Sequence, residues 1–245
     1  MLATAIIPLQ ALCQTAIEED VNSADYMTFG FETDLASRYI WRGLTFSPGV
    51  VSQSYAWMSI ANLTGSVWSN YDFKAAGNDP SLNELDFSVS YSSSMGPLSI
   101  EPSVQAYFYP DQPEYPSTAE AAMLLSFGPS LFEFFTIHTL DIKEYQGAYF
   151  GEFGLGSSWD AGDRLSMEIS SSLGWGSAKF NEVYIGEHKS ALELVSCEAG
   201  AIWYFSDYLY VRPHMMLTTI LGHDLRAMVD SPTRFQVGMA LGGEF

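Results

Sequence analysis

Apolar and polar residues alternate with a period of two along most of this chain, the mark of strands that separate an apolar from a polar environment. The clearest run is 232–245. Phe235, Val237, Met239, Leu241, Gly243 and Phe245 share one face, while Arg234, Gln236, Gly238, Ala240, Gly242 and Glu244 share the other. Residues 26–42 alternate in the same way, with Phe29, Phe31, Leu35, Tyr39 and Trp41 opposite Glu32, Asp34, Arg38 and Arg42. That length is far beyond the roughly five or six residues of an ordinary soluble strand. In 82–93, Leu85, Phe87, Val89 and Tyr91 oppose Glu84, Asp86, Ser88 and Ser90. Further runs at 50–61, 66–73, 98–109, 118–127, 131–140, 148–159, 164–175, 191–204 and 208–221 bring the expectation to twelve strands.

Longer polar loops alternate with tight turns along the whole series. Gly43–Gly49, 74–81, 110–117, 141–147, 176–190 and 222–231 are the loops, and the turns include Asn62-Leu63-Thr64-Gly65 and Ser94-Met95-Gly96-Pro97. An even strand number with this asymmetry predicts an all-β, antiparallel, up-and-down transmembrane barrel over 26–245, with both termini on the short-turn, periplasmic side. The period alone does not say which face points out. Three features favour the inverted arrangement, apolar outside. The polar face carries Ser, Gly, Glu and Asp rather than Lys; Lys74, Lys143, Lys179 and Lys189 all fall in loops. Aromatics gather near strand ends as in an interfacial girdle: Tyr26, Trp41, Trp57, Trp68, Tyr91, Phe108, Tyr149, Trp159, Trp175, Tyr204 and Tyr208. A twelve-strand bore is also wider than the eight-strand one that side chains just fill, which suits a polar lumen.

Charge narrows the function classes. Lys and Arg total 10 against 29 Asp and Glu, a net charge of −19, so nothing here neutralises a phosphate backbone and nucleic acid is excluded as a partner. The two cysteines, Cys13 and Cys197, imply no disulfide framework. The apolar stretch 2–16 ends in small residues and reads as a signal peptide, 1–16, followed by a short periplasmic leader, 17–25. The rival readings are a lipidated Cys13, against which stands the bulky Leu12, and a short buried helix.

The phrase Ser37-Arg38-Tyr39-Ile40-Trp41-Arg42-Gly43-Leu44, with Gln53-Ser54-Tyr55 and Gly65-Ser66-Val67-Trp68-Ser69-Asn70-Tyr71-Asp72-Phe73, resembles the opening of the TorF-like family of bacterial outer-membrane porins. The specific match covers roughly 30–75. The resemblance implies a barrel in the outer membrane of a Gram-negative cell, in contact with its lipid, more than it implies a substrate. The last strand likewise resembles the C-terminal strand of outer-membrane barrels. There Phe235, Val237, Met239, Leu241 and Phe245 would form the signal read by the barrel assembly machinery.

The candidate chemistry is a lumen charge set: Glu32, Asp34, Arg38, Arg42, Asp72, Glu84, Asp86, Glu101, Glu152, Glu168, Arg212 and Arg234, with Glu244 at the end. Acidic residues outnumber basic ones, and rings of charge set channel selectivity, so a pore would favour small cations or polar neutral solutes. The alternative is a closed structural or partner-binding barrel. Its inward charges would then pair, Arg38 and Arg42 with Glu32, Asp34, Glu84 or Asp86, and Arg38, Arg42, Tyr107 and Trp68 would fill the bore. Catalysis is not expected. His138, His188, His214 and His223 stand without a nucleophile motif; His223-Asp224 lies in a loop, and His138 and His214 read as girdle or lumen residues. No His/Cys spacing suits a metal, and the acidic loops 111–114 and 182–187 read as solvated charge. No cofactor is expected, and oligomeric state and any protein partner stay open.

Overall fold

The computed structural model describes residues 27–74, 79–128 and 131–245. The expected signal peptide and leader lie outside the described residues. The chain opens with β1 (Met27–Ala36), followed by a small hairpin, β2 (Tyr39–Trp41) and β3 (Leu44–Ser47). Then come β4 (Val51–Ile60), β5 (Leu63–Asp72), β6 (Ser81–Tyr91), a short β7 (Ser93–Met95) and β8 (Leu98–Phe108). β9 (Thr118–Phe127), β10 (Glu133–Asp141), β11 (Tyr149–Gly162) and β12 (Leu165–Gly176) lead into α1 (Ala178–Tyr184). β13 (Ala191–Tyr204), β14 (Leu209–Ile220), α2 (His223–Met228) and β15 (Thr233–Glu244) complete the fold.

Every neighbouring pair is antiparallel. One sheet runs β6-β5-β4-β1-β15-β14-β13-β12-β11-β10-β9-β8-β7, and β6 also pairs with β8, which closes it into a twelve-stranded barrel with β7 as an additional short strand. Closure leaves no open edge, the condition for a sheet to stand in lipid. β1 and β15 form the seam, in register from Gly30↔Glu244 to Ala36↔Gly238. Phe245 extends it: its backbone exchanges hydrogen bonds with Phe29 (2.9 and 3.1 Å), and its ring stacks on Phe29 and Tyr208.

The barrel is inside out relative to a soluble one. Phe29, Phe31, Leu35, Phe87, Val89 and Met239 are exposed on the outer wall, while Glu32, Asp34, Glu84, Asp86, Glu152 and Glu168 are buried on the inner one. An apolar surface of that extent around the barrel is a lipid-facing belt, not a soluble exterior.

The structure corrects the expected first strand. β1 stops at Ala36, and the rest of the expected run, 37–42, leads through β2 to the tip of the β2–β3 hairpin, which turns into the barrel. Its two-residue turn is Arg42-Gly43, with φ of 45° and 77°. Positive φ at both central residues is the type I′ geometry that matches strand twist, and Gly43 meets it without cost. The stretch expected to be a loop from Gly43 is therefore mostly strand β3. Trp41 and Trp68 are correspondingly not girdle residues; both are buried inside. Trp159 and Tyr208 do lie exposed on the outer wall near strand ends. The expected loops 176–190 and 222–231 contain α1 and α2.

Candidate functional site

The lumen is the site, and the hairpin organises its long-loop end. Arg42 at the hairpin tip donates from Nη1 and Nη2 to Glu120 Oε1 and Oε2 at 2.8 and 2.7 Å. Tyr107 Oη donates to the same carboxylate at 2.7 Å. The guanidinium lies 4.4, 4.8 and 5.4 Å from the ring centroids of Trp41, Phe150 and Phe180. Burial opposes the charge on Arg42, but the Glu120 carboxylate outweighs it and raises the arginine pKa above its ordinary value. The hairpin is held from two further sides. Arg234 on β15 donates to Gly43 O and, at 2.8 Å, to Thr45 Oγ1. From β4 to β6 an amide chain runs inward: Gln53 to Asn70 (3.1 Å), Asn70 to Asn83 (2.7 Å), and Asn83 to the buried Ser47 of β3 (3.1 Å).

Aromatic packing completes this layer. Tyr39 meets Trp68 at 5.5 Å, and Trp41 meets Tyr184 of α1 at 4.8 Å. The helix is seated by its own cap: Ser177 Oγ accepts from Phe180 N, and the Asn181 side chain donates to Lys189 O. Phe180 is thereby turned into the barrel, against Phe150 at 5.1 Å. Tyr109 and Tyr184, in the loops above, have raised phenol pKa values, first from burial and then from Glu84 and Glu120 respectively, so both remain neutral. Outside the barrel, Lys189 and Asp224 pair between the α1 and α2 loops at 2.5 Å.

A second cluster lies nearer the short turns. Arg212 donates to both oxygens of Glu32, Tyr210 Oη donates to Glu32 at 2.9 Å, and Arg212 Nη1 lies 3.8 Å from Glu168. His214 Nε2 is 3.0 Å from Asp34 Oδ1, close but not aligned as a hydrogen bond. Arg42, Arg212 and Arg234 thus face a larger set of buried carboxylates. Among the described residues, Glu84 Oε1 and both oxygens of Glu193 have no hydrogen-bond partner.

The expected lumen residues fall inside the barrel with a few differences of role. Arg42 pairs with Glu120, which was not in the expected set, rather than with Glu32, Asp34, Glu84 or Asp86. Glu32 takes Arg212 instead. Arg38 sits half-buried beyond the end of β1. Asp72 accepts from Lys74 N and caps the end of its strand. Glu101 accepts from Ser92 Oγ near the short turns, and Glu244 is exposed at the rim. Glu152 is buried on the inner wall. His214 faces the lumen, whereas His138 faces out, bonded to Tyr149 Oη at 2.7 Å and packed near Trp175 as a girdle residue. Sequence reasoning missed Glu120, Glu133, Asp141 and Glu193, all buried. Glu120 had a signal, being the only charged residue of 118–127 and in phase with Thr118. Phe180 had none, because its loop has no strand period.

A closed barrel with an apolar outer belt and a charged lumen defines the class: a transmembrane β-barrel of the bacterial outer-membrane type. No family model matches the chain, and no curated protein matches it either. Solved structures do. The NanC porin aligns at 10% identity with a TM-score of 0.56, over 88% of this chain and 98% of that one. The KdgM porin in complex with disordered oligogalacturonate aligns at 8% identity with a TM-score of 0.52, over 89% and 98%. At such identities the likeness is one of fold.

Proposed function

We propose that this protein is a porin-like passive channel of the outer membrane, with an acidic lumen that favours small cations and polar neutral solutes. The observation that carries this is the inverted barrel, whose inner wall holds charged and hydroxyl side chains while its outer wall is apolar. A water-filled path is the use that repays a lumen so built. Buried carboxylates in excess of arginine set the expected sign of selectivity, because field lines focus in a low-dielectric bore. In this reading the chain is a TorF-like porin, exported by the signal peptide at 1–16, with both termini periplasmic. It would be delivered to the assembly machinery by Phe235, Val237, Met239, Leu241 and Phe245.

One observation favours a second reading, a closed structural barrel: the β2–β3 hairpin and Phe180 join wall residues such as Trp68 and Phe150 in one buried cluster. Planar-bilayer recording of the purified protein separates the two. Discrete current steps at fixed voltage are expected of the channel. Complete absence of current from protein that shows heat-modifiable mobility, and so is folded, would establish the closed barrel instead.

A further inference from the structure

We propose that the chamber formed by Glu120, Tyr107, Phe150 and Phe180 is a binding site for small organic cations of the guanidinium type, and that the hairpin's own Arg42 occupies it while the hairpin is docked. This deepens the channel reading and rests on it: the chamber would be a station on the permeation path, exposed when the hairpin leaves.

The chamber has the parts such a ligand needs. Glu120 is buried and presents both oxygens toward one point, where they take the two parallel donors of the Arg42 fork. Tyr107 holds that carboxylate from the other side, so its orientation does not depend on the hairpin. Two rings contributed by the wall and by α1, Phe150 and Phe180, flank the guanidinium within cation–π range. Only Trp41 among the rings belongs to the hairpin itself. A planar fork against a carboxylate is a guanidinium geometry; an ammonium meets it as a point charge.

The charge balance points the same way. If the hairpin swung out alone, Glu120 would lose both bonds to Arg42 and, keeping the one from Tyr107, face two rings, which is unfavourable. A diffusible cation entering as Arg42 leaves removes that penalty, so the site couples cation entry to hairpin release. The tether gives Arg42 an effective concentration on the order of millimolar or above, so a free cation competes only in that range.

The test uses guanidinium chloride as the probe, against sodium chloride at equal ionic strength. Arg42→Gly is the truncation of choice because position 42 has positive φ, which glycine adopts freely. Arg42→Asn, also tolerant of that region, runs in parallel so that a folding failure of one leaves the other. Tryptophan fluorescence of the detergent-folded protein, where Trp41 borders the chamber, reads binding without reference to current. Saturation in the millimolar range is expected for both truncations, with little change in the wild type. Adding Glu120→Gln to either truncation should weaken binding at least about tenfold, the scale of a charge-assisted bidentate contact. Equal, non-saturating titrations in the truncations, the wild type and the Glu120→Gln doubles would overturn the site. Bilayer recordings of the same proteins keep the two readings apart. Saturable binding without current in any variant removes the channel and leaves the site. Current without saturable binding does the reverse.

Discussion

At the scale of single residues the docking of the hairpin turns on one ion pair. Arg42 and Glu120 are both almost wholly buried, at 2% and 4% side-chain exposure. Removing one partner of such a pair leaves the other charged and unpaired, typically a loss of about 3–5 kcal/mol. Glu120→Gln should therefore undock the hairpin while the barrel strands stand. Hydrogen exchange is the check: protection at 39–47 should fall by roughly a hundredfold or more while that of β11 to β14 is unchanged. Unchanged protection at 39–47 would mean that the pair does not hold the hairpin. Gly43 is the second sensitive position. Its φ is 77°, and a Cβ there would stand 2.8 Å from Ile220 Cδ1 and 3.1 Å from Leu194 Cδ2. Gly43→Ala should weaken docking by about 1–3 kcal/mol through backbone strain, with the clash adding to it. The same exchange experiment reads it, and a fully protected Gly43→Ala hairpin would contradict the turn described above.

Elements show best what the sequence disclosed and what it withheld. Strands such as 118–127 and 191–204 coincide with β9 and β13, because a strand between lipid and lumen must alternate and has nowhere else to put its Phe and Glu. The same rule concealed the hairpin. Residues 37–42 continue the alternation of β1, but 39–42 are packed inside the barrel, and a period of two does not name the environment on either side. Trp41 at the end of an apolar-polar run looks like a girdle residue for that reason. The Arg42–Glu120 contact joins residues 78 apart, and no local spacing encodes it. The face assignment itself makes a sharp expectation. Phe87 is exposed on the outer wall, against Phe108, while Ser88 turns inward and bonds Ser66 at 2.6 Å. Phe87→Arg should cost about 2–4 kcal/mol if it lies near the bilayer midplane. Ser88→Arg should refold with nearly wild-type stability in urea titrations in lipid. The reverse order would invert the barrel. The loops carry a pH expectation. Hydrogen bonds from Lys189 and then His223, with the Lys189 charge, hold the Asp224 carboxyl below its ordinary pKa. A pKa lowered on folding contributes order that is present above the unfolded value, about 3.9, and is lost as pH falls through the lower folded value. Acidification through that window should loosen 186–190 and 223–228 in the wild type more than in Asp224→Asn, measured by exchange corrected for its intrinsic pH dependence. An equal response in both would assign the loosening to other groups.

For the molecule as a whole, the proposed path is a cation-preferring one through an acidic lumen. Twelve strands close without an edge, the outer belt is apolar, and the inner wall holds more carboxylates than Arg42, Arg212 and Arg234 can neutralise. Glu84 and Asp86 share the inner face of β6 beneath the hairpin; Asp86 takes a hydrogen bond from Gln105, and Glu84 keeps one oxygen without a hydrogen-bond partner among the described residues. The most direct measurement is the reversal potential of the purified protein in a planar bilayer under a salt gradient, for the wild type and for Glu84→Gln with Asp86→Asn. The wild type should prefer cations. The double variant should show a lower cation-to-anion ratio, and the difference should be larger at 0.01 M salt, where the Debye length is about 30 Å, than at 0.1 M, where it is about 10 Å. An anion-selective wild type, or a double variant whose ratio matches the wild type at both salt concentrations, would contradict the account.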